Sequence, residues 1–468
     1  MSTQVNAMSR IVVGLSLVVS VAVCPAMGGD VVGWRTNWTG KYPDADPPLV
    51  WSDTQGVVWK TPLPGPGNST PVLVGDKIIV CSEPSSVVCL NLADGKILWE
   101  KANPLMEAFS PEEQTKAKAD MDRIGVPAVR EAVKTLEREL NQVRRDMRQN
   151  RDDETLKAKD RDIQQKIAAE KKKLEPVARY MDPPTHGVNG YTSATPVSDG
   201  KHVWMVFGTG VVACYDLDGH RKWITFVEQP KEPNGWGFCA SPVLAGDKLL
   251  VIIDSLVALE AATGKLVYRV PAKARWGTPT LATVGGTEIL VTAGGEFFRV
   301  SDGKKLLDRT VALEYNQPVI EAGVVYFIQN GGKAYKLPEQ LSGDRLDASP
   351  LWTTEPKKDR YYASPVVHDG LIYDVTQASV FSAIDAATGK VVYEQNLNLG
   401  REQAYPSVVL AGTYLFVSGS SGQTAVIVPG REFKEVARNK LEPFRSTPVF
   451  QGTRMYVRGL KHMYCIGK

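Results

Sequence analysis

The residue types that most often carry chemistry are scattered along this chain. The five histidines, at 186, 202, 220, 368 and 462, stand singly, and no two have the spacing of a metal pair. His202, His220, His368 and His462 fall at turns or strand starts, where surface or packing roles are expected. No Cys-x-x-Cys pair, Gly-x-Ser-x-Gly elbow, P-loop or two-histidine zinc motif is present. No catalytic residue and no metal site is therefore assigned.

What does recur is a short aromatic and arginine stretch. In register its members are Asn68, Tyr191, Trp236 with Phe238, Trp276, Tyr315 with Asn316, Tyr361 with Tyr362, Tyr405, and Phe444. Arg275, Arg360, Arg401 and Arg445 lie beside them, and His186 is close to Tyr191. Aromatic faces with guanidinium neighbours suit a planar or anionic ligand, or a peptide. The candidate binding residues are Tyr191, Trp236, Arg275, Trp276, Arg360, Tyr361, Tyr405, Phe444 and Arg445. The plainer reading wedges the aromatics between structural units and pairs the arginines with Asp359, Glu402 and Glu442.

Each stretch stands just ahead of one copy of an internal repeat of roughly 40 residues, the mark of a β-propeller. The openings are Thr70-Pro71, Thr195-Pro196, Ser241-Pro242, Thr278-Pro279, Gln317-Pro318, Ser364-Pro365, Pro406-Ser407 and Thr447-Pro448. Proline is tolerated at the first position of a strand, so each opening starts an inner strand. β-Branched runs such as Lys77–Val80 follow, and turns such as Asp94-Gly95 and Thr263-Gly264 lead to a closing strand with a large residue: Trp99, Trp223, Tyr268, Leu307, Trp352 or Tyr393. The 428–431 turn, Val-Pro-Gly-Arg, departs most from this pattern. Gly56–Leu63, with Trp59, is a closing strand without an opening, and 446–467 is an opening without a closing strand. Pairing the two shuts the ring and removes a free sheet edge. The fold expected is all-β: an eight-bladed β-propeller whose N-terminal strand completes the last blade.

One insertion interrupts the repeat, so the chain divides as 1–29, 30–103, 104–180 and 181–468. Ser110-Pro111-Glu112-Glu113 is a helix start, and Gly125-Val126-Pro127 breaks that helix. Val129, Val133, Leu136, Leu140, Val143 and Met147 form one seam; Leu156, Ile163, Ile167 and Leu174 form a second. An antiparallel helical hairpin is expected over 104–180. Its seams satisfy each other or offer a contact surface.

The formal charge of +3 over 468 residues gives no polyanion footprint, so no nucleic-acid partner is expected. Residues 1–29 read as a secretory signal, with Arg10, the apolar run 11–23 and a small-x-small site at 26–28. That run is too short for a membrane span, so no transmembrane segment is expected in the mature chain. Val23 is not the small residue that lipid attachment at Cys24 wants, so soluble export to the periplasm or exterior is expected. Five cysteines remain; Cys89, Cys214 and Cys465 read as core residues, and Cys81 and Cys89 flank a tight turn where a bridge stays open.

The copies Ala-Ala-Thr-Gly-Lys-x-x-Tyr at 261–268 and 386–393, the 93–99 copy and the Ser/Thr-Pro openings resemble the pyrroloquinoline-quinone-like (PQQ-like) propeller repeat. The resemblance implies that each closing-strand tryptophan docks on a glycine turn of the next blade. It covers quinoprotein dehydrogenases, an outer-membrane assembly subunit and other exported proteins. The dehydrogenases place adjacent cysteines over the quinone and bind calcium through Glu, Asn and Asp. This chain has no adjacent cysteines, and those ligands map to no position here. The expectation is an exported, non-catalytic scaffold without a cofactor, binding a protein or small ligand through the rim and the hairpin. The alternatives are a PQQ- and calcium-dependent oxidoreductase and an outer-membrane assembly component.

Overall fold

The computed structural model describes residues 32–231, 234–273, 275–308, 310–401 and 403–467. The secretory-signal reading of 1–29, including Cys24, lies outside them, as does Glu402. Eight sheets form an eight-bladed propeller. Blade 1 runs from its inner strand Val72–Val74 through Lys77–Ser82 and Ser86–Asn91 to the outer strand Ile97–Ala102. Middle strands are buried on both faces because neighbouring blades stack on each side, so they read as apolar runs rather than alternations. Outer strands alternate, as Val57–Pro62 does. That strand pairs with His462–Gly467, placing Trp59 opposite Cys465 and completing blade 8 as expected.

Two devices join the blades. The closing-strand aromatics dock as the repeat implies. Trp59, Trp99, Trp223 and Trp352 each donate an indole hydrogen bond, at 2.9–3.3 Å, to a carbonyl of the next blade's turn. Each also covers a glycine; at Gly264, with φ +72, an added Cβ would lie 2.5 Å from Trp223. The second device explains the Ser/Thr of the openings. Thr70 N–H donates to Thr195 Oγ1, Thr195 N–H to Ser241 Oγ and Ser241 N–H to Thr278 Oγ1. The relay resumes through Gln317 N–H to Ser364, Ser364 to Ser407, Ser407 to Thr447, and Thr447 back to Thr70. These bonds measure 3.0–3.2 Å and circle the channel. The joint from blade 4 to blade 5 differs, because Gln317 has no hydroxyl to offer Thr278.

Residues 32–51 are a strap rather than a simple lead-in. Ser198 N–H donates to Val32 O at 2.7 Å, holding the start of the strap to blade 2. Trp34 Nε1 donates to Gln317 Oε1, and Gln317 Nε2 donates to Trp38 O at 2.6 Å. Arg35 is fully buried and donates to Pro365 O and Val408 O at 2.7 and 3.0 Å. Gly40, at φ +69, leaves space for that guanidinium; a Cβ there would lie 2.4 Å from Arg35 Nη2. The two-residue strand β1, Lys41–Tyr42, then adds in parallel to the inner strand Val409–Ala411 of blade 7. Tyr42 meets Phe450 and Trp51 stacks on Phe416, so the strap leaves between blades 7 and 8. The outer strand of blade 7, Glu435–Lys440, carries no aromatic residue, and the strap's rings fill that joint.

The insertion forms α1 (Pro111–Ile124), α2 (Val126–Gln149) and α3 (Glu154–Lys172). The Ser110–Glu113 capping box starts α1, and Gly125 ends it in the left-handed conformation. Val133, Leu140 and Val143 of α2 bury against Ile163 and Ile167 of α3, so the two seams satisfy each other. Arg144–Asp160, Lys159–Glu139 and Lys171–Glu137 ion pairs flank them. The base of this arm is clamped to blade 2. Phe109 packs between Tyr180 and Phe226 at 4.8 and 5.0 Å, with the Arg179 guanidinium 5.1 Å from its ring. Arg221 pairs with Glu107 at 2.7 Å.

The five described cysteines are free. Cys81 pairs across its hairpin with Val87 and Cys89 with Ile79, so the open question of a bridge resolves against one. Burial pushes Cys81, Cys89, Cys214 and Cys239 up to about 12, which leaves them protonated packing residues.

Candidate functional site

Strand alternation fixes which loops share a face. The loop entering each inner strand and the turn between second and third strands lie on one face of the ring; the remaining turns lie on the other. The strap closes over the inner strands from that second face, where Lys41 pairs with Glu321 and Asp46 N–H with Gly452 O. The first face, the rim face, is where the aromatic and arginine stretches emerge.

Rings from four of the eight blades form a continuous arc. Trp276 stacks on Tyr315 at 5.3 Å, Tyr315 meets Tyr362 edge-on at 4.7 Å, and Tyr362 meets Tyr405 at 4.8 Å. These four rings come from the entry loops of blades 4 to 7, and all are part-exposed. Arg360 Nη1 donates to Tyr362 OH at 3.3 Å. Arg275 and Trp276 line a cleft of about 370 Å³ with Phe238, Asp254 and Glu314. Trp276 is held by its indole bond to Gly237 O, at 3.0 Å, and by its backbone bond to Glu314 O.

Other predicted members do different work. Tyr361 and Phe444 are 4% and 1% exposed, so neither ring can meet a ligand at the channel mouth. In the entry loop Tyr361 turns inward, where its OH bonds Lys357 O, and Tyr362 takes the rim place. Tyr191 is half-buried with its OH on Pro183 O, at 2.7 Å. Arg445 and Asn68 both donate to Val188 O, at 3.2 and 2.7 Å, and hold the loop that enters blade 2. Trp236 is 41% exposed and stacks on His186 at 3.9 Å, a separate aromatic pair on the loops entering blades 2 and 3.

The plainer pairing of arginines with loop acids does not account for Arg275 or Arg360. Asp359 accepts from Gln377 Nε2 and Ala378 N–H at 2.7 and 3.2 Å. Glu442 accepts from the amides of Lys461 and His462 at 2.8 and 3.0 Å and from the His462 ring. Glu228 grips Asp254 and Ser255 in the same manner, and Glu83 grips Tyr191 and Thr192. Carboxylates from one blade thus fasten backbone amides of the next and set the rim loops in place. Among the described residues no carboxylate lies within ion-pair distance of Arg275 or Arg360, and Arg275 Nε is buried without a partner.

The arm belongs to this same face. It replaces the loop entering the inner strand of blade 2, half a turn around the ring from the Arg360–Tyr362 loop that enters blade 6. The molecule is thus a ring of eight blades, with a channel closed from the far face and a rim loaded with aromatics. Residues 43–127 and 208–427 match the family described as outer membrane protein assembly factor BamB. The chain belongs to this family. The BamB-family match omits 128–207, which holds nearly all of α2 and the whole of α3. No curated protein is similar to the chain in sequence.

Solved structures share the fold. BamB from Moraxella catarrhalis is 12% identical with a TM-score of 0.55, over 88% of this chain and 97% of that one. A europium-containing methanol dehydrogenase is 12% identical with a TM-score of 0.55, over 93% and 90%. Quinohemoprotein alcohol dehydrogenase from Comamonas testosteroni is 9% identical with a TM-score of 0.56, over 94% and 80%. At these identities the likeness is one of architecture.

Among the described residues no three His, Cys, Asp or Glu side chains converge as metal ligands, and no two cysteines are adjacent. Asp374 is the fully buried carboxylate beside Arg35; burial raises it well above the usual range, against the Val375 amide and Arg35, and favours its neutral form. No described helix is long and apolar enough to cross a membrane.

Proposed function

We propose that this BamB-family propeller is an exported scaffold that binds a protein partner on its rim face. The observation that carries this reading is the shared face of arm and arc. The clamped helical arm rises from the loop entering blade 2, and the four-ring arc lies across the channel mouth on blades 4 to 7. A polypeptide seated there touches both. The rim loops are fastened by part-buried carboxylate–amide bonds, so little ordering is needed on binding. A BamB-family role in envelope protein assembly is compatible with such a surface. The arm lies mostly outside the family's matched residues and would give this member a contact of its own.

Pull-down from envelope extract tests the reading. Replacing 128–173 with a short Gly-Ser linker is expected to remove partners that the full chain retains. Trp276→Ala with Arg275→Ala is expected to weaken them. An unchanged set of partners in both variants overturns it. Dye reduction with alcohols or sugars, after incubation with the quinone and calcium, would instead establish the oxidoreductase.

A further inference from the structure

Resting on the rim as a binding face, we propose that the arc from Trp276 to Tyr405 takes an extended acidic peptide segment. Three features of the arc point to this occupant.

The first is its length. Steps of 5.3, 4.7 and 4.8 Å carry the rings across four blades, an arc on the order of 15 Å, or about four or five extended residues at ~3.3 Å each. A single planar ring system covers two of these rings and leaves the others bare.

The second is charge. Arg275 and Arg360 flank the arc at blades 4 and 6, and exposed Lys358 lies two residues before Arg360. Asp359, beside Arg360, is already engaged by Gln377 and Ala378, and Glu394 by the Lys357 amide at 2.6 Å. Glu314 remains in the cleft, leaving an excess of cations along the arc. Guanidinium groups without a carboxylate of their own match carboxylate side chains, which they bind through two parallel hydrogen bonds.

The third is preparation. The Trp276 indole N–H and backbone N–H are both occupied, and the Tyr362 hydroxyl already accepts from Arg360. The Trp276 ring therefore offers its face for packing, while the Tyr362 hydroxyl keeps its proton for an acceptor. Arg275 keeps a buried Nε with no acceptor, beside Trp276 in the cleft. An acidic side chain placed in the cleft meets Arg275, which lines it.

Fluorescence anisotropy with the full chain and three labelled probes tests the proposal: an octapeptide of Glu and Tyr, its Lys and Tyr counterpart, and an eight-nucleotide oligothymidylate. The acidic peptide is expected to bind, with the basic peptide and the oligonucleotide about tenfold or more weaker. Arg275→Gln with Arg360→Gln is expected to lose about tenfold in affinity and most of the salt dependence. Tyr315→Ala with Tyr362→Ala is expected to lose a similar factor while near-UV circular dichroism shows a folded ring; if that pair unfolds, the surface arginine pair decides. Absence of acidic-peptide binding, equal binding of either other probe, or indifference to the arginine pair overturns the proposal. Replacing 128–173 leaves acidic-peptide binding intact under this reading. Partners lost on arm deletion without any acidic-peptide binding would therefore leave the scaffold standing and remove the peptide.

Discussion

Gln317 Nε2 donates to the carbonyl of Trp38 at 2.6 Å, and its Oε1 accepts from the Trp34 indole. At the equivalent place the other openings carry Ser or Thr, whose hydroxyl joins one blade to the next. Gln317 gives up that joint and grips the strap that closes the channel. One side chain thus exchanges a blade contact for a channel contact.

Gln317→Thr is expected to restore a hydroxyl facing Thr278 while freeing both strap bonds. The ring should stay folded, with limited proteolysis cutting within 32–40 faster than in the parent protein. Unfolding of the whole ring would show that strap and propeller are one cooperative unit.

Arg35→Met is expected to cost about 3 kcal/mol, measured by chemical denaturation, because it leaves the carbonyls of Pro365 and Val408 buried without a donor. Burial itself lowers the Arg35 guanidinium to about 9, with Tyr42 and Asp374 working the other way, so the charge is held at real cost. A change below about 1 kcal/mol would place the strap's anchoring in Trp34 and Trp38 instead.

Gly264→Ala is expected to lower stability by about 2–4 kcal/mol, through positive φ and collision of the new Cβ with Trp223. Gly246→Ala, also at positive φ but with open space around its Cβ, separates the two causes. The difference in thermal midpoint between the variants measures the blade dock.

Ile163→Ala is expected to loosen the arm by about 2–4 kcal/mol, because Ile163 is 1% exposed in the α2–α3 seam. Ellipticity at 222 nm should fall early on heating while the propeller transition stays in place. Joint melting would show that arm and ring are coupled.

Glu442 gives a pH dependence with a definite sign. Burial works to raise its carboxyl, but hydrogen bonds from the His462 ring and the amides of Lys461 and His462 win and hold it below its ordinary 4.5. The unfolded chain therefore binds the proton more readily. The stabilisation is complete above the ordinary value and is lost as pH falls through the lower folded value. Thermal midpoints taken from roughly pH 7 down to 3 should drop more steeply for the parent protein than for Glu442→Gln.

The repeat made the blades legible. Ser/Thr-Pro openings, glycine turns and closing-strand tryptophans each act through contacts one blade away, and the copies recur often enough to be aligned. Trp59 and 446–467 revealed the closing blade because each was half of a pattern. The helical seams were equally legible, since an a/d spacing states its own partner face. The Ser and Thr of the openings were visible, yet only proline's tolerance at strand starts gave them meaning. Their hydroxyls act across blades, on amides some 40 positions distant, and no local pattern shows such a bond.

The rim was half legible. A loop's place on the face follows from the repeat, but the direction of its side chain does not. Tyr361 and Tyr362 are neighbours in one loop, whose backbone path buries the first and part-exposes the second. Tyr315 and Tyr362 carry the centre of the arc for that reason, while Phe444 fills core.

The sequence alone determined the propeller, its blade count, its mode of closure and its helical arm, because these arise from short local patterns, copied about every 40 residues in the blades and at heptad spacing in the arm. Only the tertiary structure decided that 32–51 closes the channel, that Gln317 holds it, and that arm and arc share one face. Those relations join residues hundreds of positions apart, and ring closure alone brings them within hydrogen-bonding distance.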